Sequence, residues 1–357
     1  MLKRRVVLTG MAGSWQAMAA PEDPLARYQR QLPPNYGPGA VFQVQAQPQG
    51  EKIILTGRVL LPQEHTALTA EFRPQTVEDR TTSFPYPQVG TRCYAVVTAR
   101  RVDLRAKNDS TSELVSQAVQ GDTLLLLASE AKGYEVLRQW DGYRGWLPQN
   151  TVQALDPAEF RQWQQQPRVM VLSDTERYDA GAILPTDTAI TPTRPLALSQ
   201  TAAQVRTQVI QSAQAFYEKS RTTPYPYLWG GTYGTALDCS GFTQTVYRLA
   251  GLAIPRDTYQ QQGFGQKVQA SPVNLANLQA GDLLFFSENN RRATHVGIYM
   301  GAGDFLHCSG GKGNRGLGRN NLQGKLTYEN FLRSIWWGAA RLIPATGSNS
   351  LGLYAKV

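Results

Sequence analysis

Only three stretches of this chain, residues 157–166, 201–220 and 239–250, carry a sustained helical pattern. Nearly everything else is interrupted by turn formers, with 32 glycines and 21 prolines among 357 residues. A chain so divided folds mostly as short strands joined by tight turns. Its length exceeds what one hydrophobic core serves, so about two to four compact units are expected. Hydrophobic residues at 41% against 18% charged make a globular balance, which excludes a disordered chain.

Lys and Arg outnumber Asp and Glu by 36 to 27, a formal charge of +9. The basic residues are scattered, and none forms a run interleaved with aromatics, so a nucleic-acid partner is not expected. A soluble basic surface or an anionic polymer fits the charge. No stretch reaches the ~20 apolar residues of a membrane-spanning helix. Cys93, Cys239 and Cys308 are odd in number and far apart, so they make no disulfide framework and leave at least one thiol free. At the start, Lys3-Arg4-Arg5, a short apolar stretch and Ala17-Met18-Ala19 read as an export signal over residues 1–20, with an exported protein as the expectation.

Four units are expected beyond that segment. Residues 40–90 read as strand, turn at Gln49-Gly50, strand and helix, a small α+β module with a faint likeness to BON modules. Residues 91–155 run strand after strand, through Val102–Arg105, Leu114–Ala118, Thr123–Leu127 and Tyr134–Leu137, to the turn Gly142-Tyr143-Arg144-Gly145-Trp146; this is the pattern of a small barrel. It resembles bacterial SH3 domains. Residues 156–200, with strand-like pieces at 169–172, 182–184 and 188–190, are expected to be a second, degenerate unit of that kind with a linker at Pro192 and Pro195. Residues 201–345 make the last unit.

The chemistry is concentrated there. Cys239 opens a helix in Leu237-Asp238-Cys239-Ser240-Gly241-Phe242, with Asp238 placed to cap it and Gly251 to end it. A cysteine in a first helical turn meets unpaired N–H groups and the positive end of the helix dipole, which favour a thiolate. Two of the three histidines, His295 and His307, follow on two strands of one expected hairpin. A nucleophilic cysteine needs a base and the base an orienting partner, roles these two can fill. Twelve residues apart, they share a face only if the connection has an odd count or a bulge, and the register is open. A zinc site is disfavoured: only His307 and Cys308 are close in sequence, and adjacent strand residues point to opposite faces.

The motifs Tyr227-Leu228-Trp229-Gly230-Gly231, Asp238-Cys239-Ser240-Gly241-Phe242, Gly281–Phe286 and His295-Val296-Gly297-Ile298-Tyr299 occur in the order found in NlpC-type cell-wall cysteine peptidases, and the chain resembles that family over about 205–345. The resemblance implies an α+β fold, papain-like in its catalytic domain, with the cysteine helix packed on an antiparallel sheet. It implies Cys239 as nucleophile, His295 as base and His307 as third catalytic residue, with no cofactor. The domain order is similar to members that cut peptidoglycan stem peptides between γ-D-glutamate and a diamino acid and need a free N-terminal L-alanine. In that likeness Glu113 and Tyr143 of the barrel hold the substrate amine, and Tyr227, Asp238, Ser240 and Asp257 complete the pocket. A papain-like amidase or acyltransferase, or a wall-binding protein that only keeps the scaffold, are the alternatives.

Overall fold

A computed structural model of the chain describes residues 22–196, 200–311 and 316–343; the segment 1–20 lies outside them. Among the described residues the strands group into four sheets, of three, seven, three and six strands in chain order, in an α+β architecture.

The first sheet is a hairpin, Gln43–Gln49 with Lys52–Arg58, turning at Gly50. The helix Glu64–Ala70 then carries the chain across so that Thr76–Thr82 lies parallel to the second strand, as parallel pairing requires a crossover. Tyr28, Leu55, Val59, Leu68 and Phe72 form its core. The seven-stranded sheet runs, edge to edge, Val152–Leu155, Tyr94–Val97, Thr123–Glu130, Gly133–Arg138, Arg144–Pro148, Arg101–Arg105 and Leu114–Val119. Its third strand is apolar without alternation because both faces are covered. Leu124 and Leu126 enter the sheet's own core with Val102, Leu104 and Val136. Leu125 and Leu127 pack instead with Val41, Leu60, Phe84 and Tyr86.

Residues 156–200 form the helix Pro157–Gln165, started by an Asp156–Glu159 capping box, and a three-stranded sheet of Ile183–Pro185, Arg168–Val171 and Thr193–Pro195. The piece 188–190 is not a strand; Ile190 packs as a side chain on this small core, and the proline-marked stretch 193–195 supplies the strand instead.

The last unit begins with the helix Ala202–Ser220, capped by Thr201 and Gln204, which turns Val205, Val209, Ala213 and Phe216 inward at helical spacing. Its sheet is antiparallel throughout, in the order Gln266–Val268, Trp336–Arg341, Leu283–Phe286, His295–Gly301, Asp304–Ser309, Gly316–Asn321. The helix Cys239–Leu249 lies on it through Phe242, Val246 and Leu249, in one core with Val296, Ile298 and Leu306.

All eleven residues of that helix are buried, including its polar side. That side meets the seven-stranded sheet through charge. Arg248 Nη2 donates to Asp122 Oδ1 at 2.6 Å, and Gln244 Nε2 to Asp141 Oδ2 at 3.0 Å. Asp141 also accepts from Arg138 Nε at 2.9 Å. Arg256, just beyond the helix, donates to both oxygens of Asp238 (3.0 and 2.7 Å) and to Ser116 Oγ at 3.2 Å. Trp140 lies between the guanidinium groups of Arg138 and Arg248, each 4.6 Å from its ring. Three arginines and three aspartates, each at most 6% exposed, thus pair at this contact, Arg248–Asp122 across it and Arg138–Asp141 and Arg256–Asp238 on its two sides. Replacing Arg248 with Met should cost about 3–5 kcal/mol, because Asp122 is left charged and dry. Urea unfolding of R248M checks this, and restoring stability in R248M/D122N separates the stranded charge from lost packing.

Candidate active site

Cys239 is the first residue of its helix. Asp238 caps it, accepting from the Gly241 N–H at 2.7 Å, and Gly251 ends it in the left-handed region at φ +86, where a side chain would be strained. The thiol is 6% exposed. Its Sγ stands 3.6 Å from Thr258 Oγ1, and Cys239 packs in one core with Val296, one residue beyond His295.

The hairpin settles the register of the histidines. Gly301 pairs with Asp304, but Tyr299 pairs with Phe305 and Ile298 with Leu306, so Met300 is an extra residue on the first strand. Without that bulge His307 would stand opposite Ile298 and point away from His295. With it, position 307 falls opposite Gly297 and the two imidazoles share a face. Gly297 makes room: a Cβ there would come within 3.1 Å of the His307 Cβ and 3.0 Å of the Leu306 carbonyl oxygen.

His295 Nε2 meets His307 Nδ1 at 2.7 Å, and His307 Nε2 meets Asn320 Oδ1 at 2.9 Å. An amide oxygen only accepts, so His307 carries its proton on Nε2. Neutral His307 then accepts on Nδ1, which puts the His295 proton on Nε2 and a lone pair on His295 Nδ1. The chain of bonds therefore fixes the tautomers of both rings. Both rings lie on the sheet face that holds Phe286 and Phe305, while the cysteine helix packs on the other. The Tyr328 ring stacks 6.0 Å from His307 on that face.

The helix start does not by itself ionise Cys239. Burial, followed by the adjacent Asp238 carboxylate, pushes the thiol up to about 11, against the pull of the Thr258 hydroxyl, the Val296 amide and Arg256. Burial and then His307 hold His295 well below the usual imidazole range, and burial holds His307 at about 4 against its bond to Asn320. Burial thus favours the uncharged forms of all three groups, a thiol and two neutral imidazoles.

The other singled-out residues divide. Asp238 is committed to capping, to the Gly230 N–H at 2.9 Å and to Arg256, and Ser240 Oγ accepts from Arg256 at 2.9 Å. Both therefore support the cysteine helix from behind. Tyr143 donates to Asp257 Oδ1 at 3.1 Å, bringing the barrel-like sheet and the last unit together at a cavity of about 330 Å³. Burial, then Asp257, raises Tyr143; burial raises Asp257 against Arg256. Tyr227 borders the cysteine, and burial followed by the charge of Cys239 raises its hydroxyl. Glu113 is exposed and accepts from Trp229 Nε1 at 2.7 Å. Sequence reasoning missed Thr258, Arg256 and Asn320. Only Thr258 had a local signal, the helix-opening pair Asp257-Thr258. Both ring nitrogens of His307 are bonded, and Cys308 Sγ turns to the Leu237 carbonyl at 3.1 Å, an arrangement unlike a zinc site.

The buried imidazoles make stability depend on pH. The unfolded chain takes up a proton on His307 near the ordinary 6.5, whereas the folded chain holds out to about 4. Stability is thus full above 6.5 and is lost as pH falls through that window, where the unfolded state binds more protons. Thermal unfolding midpoints should be level from pH 8 to about 7 and decline toward pH 4, and H307N should flatten the decline.

Residues 224–335 match the model of the NlpC/P60 family. Over 239 residues the chain is 28% identical to the gamma-D-glutamyl-L-lysine dipeptidyl-peptidase of Bacillus cereus, covering 56% of this chain and 68% of that one. The protein of the same name from Bacillus subtilis is 44% identical over 84 residues, 23% of this chain and 27% of its own length. A crystal structure of an NlpC/P60 family protein from Bacillus cereus matches at a TM-score of 0.56 and 21% identity, over 70% of this chain and all of that one, a likeness of fold. Residues 224–335, in the C-terminal unit of the chain, thus carry an NlpC/P60 domain.

Proposed function

We propose that this chain hydrolyses peptidoglycan stem peptides as a cysteine peptidase, cutting between γ-D-glutamate and the following diamino acid, with preference for a free N-terminal L-alanine. The observation that carries it is the bonded series His295–His307–Asn320, which leaves a lone pair on His295 Nδ1, one residue before the Val296 that shares a core with Cys239. The names of the two Bacillus relatives support the bond and substrate.

In this reading His295 Nδ1 takes the thiol proton as Sγ attacks the γ-glutamyl carbonyl carbon. The Cys239 N–H at the helix start, with the Tyr227 hydroxyl, steadies the oxyanion. His295 gives its proton to the departing amine, the amide bond breaks, and a thioester remains. Water, deprotonated by the same imidazole, cleaves the thioester and releases L-Ala-γ-D-Glu. Asp257 and Tyr143 receive the amine end, and the seven-stranded sheet serves as the SH3-like unit that brings Tyr143 there. The protein acts outside the cytoplasm, its N-terminal segment 1–20 directing export; no helix among the described residues is long and apolar enough to cross a membrane.

Purified protein incubated with L-Ala-γ-D-Glu-diamino-acid tripeptides should yield L-Ala-D-Glu by mass, and C239A should lower the rate by roughly a thousandfold or more. Turnover retained in C239A would overturn the assignment. Asn320→Leu should lower kcat about 10- to 100-fold with little change in KM, since it frees the His307 ring without touching substrate. Stopped-flow or steady-state kinetics on the same tripeptide measure it. An effect confined to KM would remove the tautomer argument.

A further inference from the structure

The cavity behind the site has a wall that neither the peptidase domain nor the seven-stranded sheet supplies. It is lined by Asn35 and Ala40 of the N-terminal segment, by Tyr143, Arg144 and Trp146, and by Asp257. Asp257 is the chain neighbour of Thr258, whose hydroxyl stands 3.6 Å from Sγ, so one lining residue adjoins a group that touches the thiol.

The segment is pinned from two sides. Asn35 Nδ2 donates to the Tyr259 hydroxyl at 2.8 Å, and Gln260 Nε2 donates to the Pro34 carbonyl at 2.9 Å. The Gly37 N–H donates to the Gly142 carbonyl at 2.8 Å, and Arg144 Nη1 to the Ala40 carbonyl at 3.2 Å. Asn35 itself is left-handed at φ 60, a conformation asparagine tolerates better than most residues, and the turn it makes is what delivers its amide to Tyr259.

We propose that residues 32–40 are the end wall of the substrate cleft and that Asn35 is a specificity-determining residue, limiting substrates to those with two residues ahead of the scissile bond and an unblocked amine. The inference rests on the peptidase reading above. A primary ammonium is compact and gives the Asp257 carboxylate a cation in a partly dry cavity. An acylated amine brings extra atoms toward the pinned segment and leaves that carboxylate without its cation, so the two penalties act together. A segment held by bonds to both flanking units cannot yield without breaking them.

The test compares kcat/KM for the free and N-acetylated tripeptide in the full chain, wild type and Asn35→Gly. Glycine keeps the left-handed backbone and removes only the side chain. Wild type should prefer the free amine, and N35G should narrow that preference by about tenfold or more. An unchanged ratio in an N35G protein with the wild-type unfolding midpoint overturns the inference, as does a wild type that cuts both substrates equally. A wild type that cuts neither overturns the peptidase reading itself. Ala40→Leu, which fills the cavity from the same segment, should raise KM for the free tripeptide; an unchanged KM counts against the wall.

Discussion

The Arg256–Asp238 pair holds the rest of the site in place. Asp238 caps the cysteine helix, stands beside the thiol and receives the Gly230 amide, so its position sets theirs. Unpaired, a buried carboxylate there would be costly and would drive the thiol still further from ionisation. Arg256 neutralises it and at the same time reaches Ser116 of the neighbouring sheet. One guanidinium thereby ties the electrostatics around Cys239 to the docking of another unit. Buried ion pairs contribute little net stability compared with apolar packing, but they penalise any arrangement that separates them. Here Arg248–Asp122 and the bonds Arg256–Ser116 and Gln244–Asp141 set how the seven-stranded sheet sits against the cysteine helix, and with it where Tyr143 meets Asp257.

The histidine pair depends on a different constraint, a count of residues. One extra residue at Met300 puts two side chains on the same face that would otherwise point oppositely. Gly297 then leaves space for His307, and Asn320 on the next strand polarises the series. Each element contributes one group, and antiparallel neighbours bring the groups to one end of the sheet.

Much of this was legible in the sequence, because it is local. The cap at Asp238, the stop at Gly251 and the apolar spacing of Phe242, Val246 and Leu249 define the cysteine helix without any tertiary information. The His295 hairpin is as plain. What was not legible lies in long-range pairs. Arg256 meets partners 18 and 140 positions away, and Glu113 meets Trp229 across 116. The polar side of the cysteine helix would ordinarily face water, and only the charges of the adjoining sheet explain its burial. Asp238 and Ser240 looked like pocket residues in the family resemblance, yet their hydrogen bonds point to the helix and Arg256. The bulge has no local signature beyond the glycines around it.

The uncharged resting state of Cys239 has a consequence for survival in an oxidising surrounding. Oxidants and alkylating agents attack the thiolate, and burial beside the Asp238 carboxylate favours the protonated sulfur. The sulfur is also almost wholly enclosed. A thiol so enclosed and kept protonated is shielded from reagents that consume thiolates.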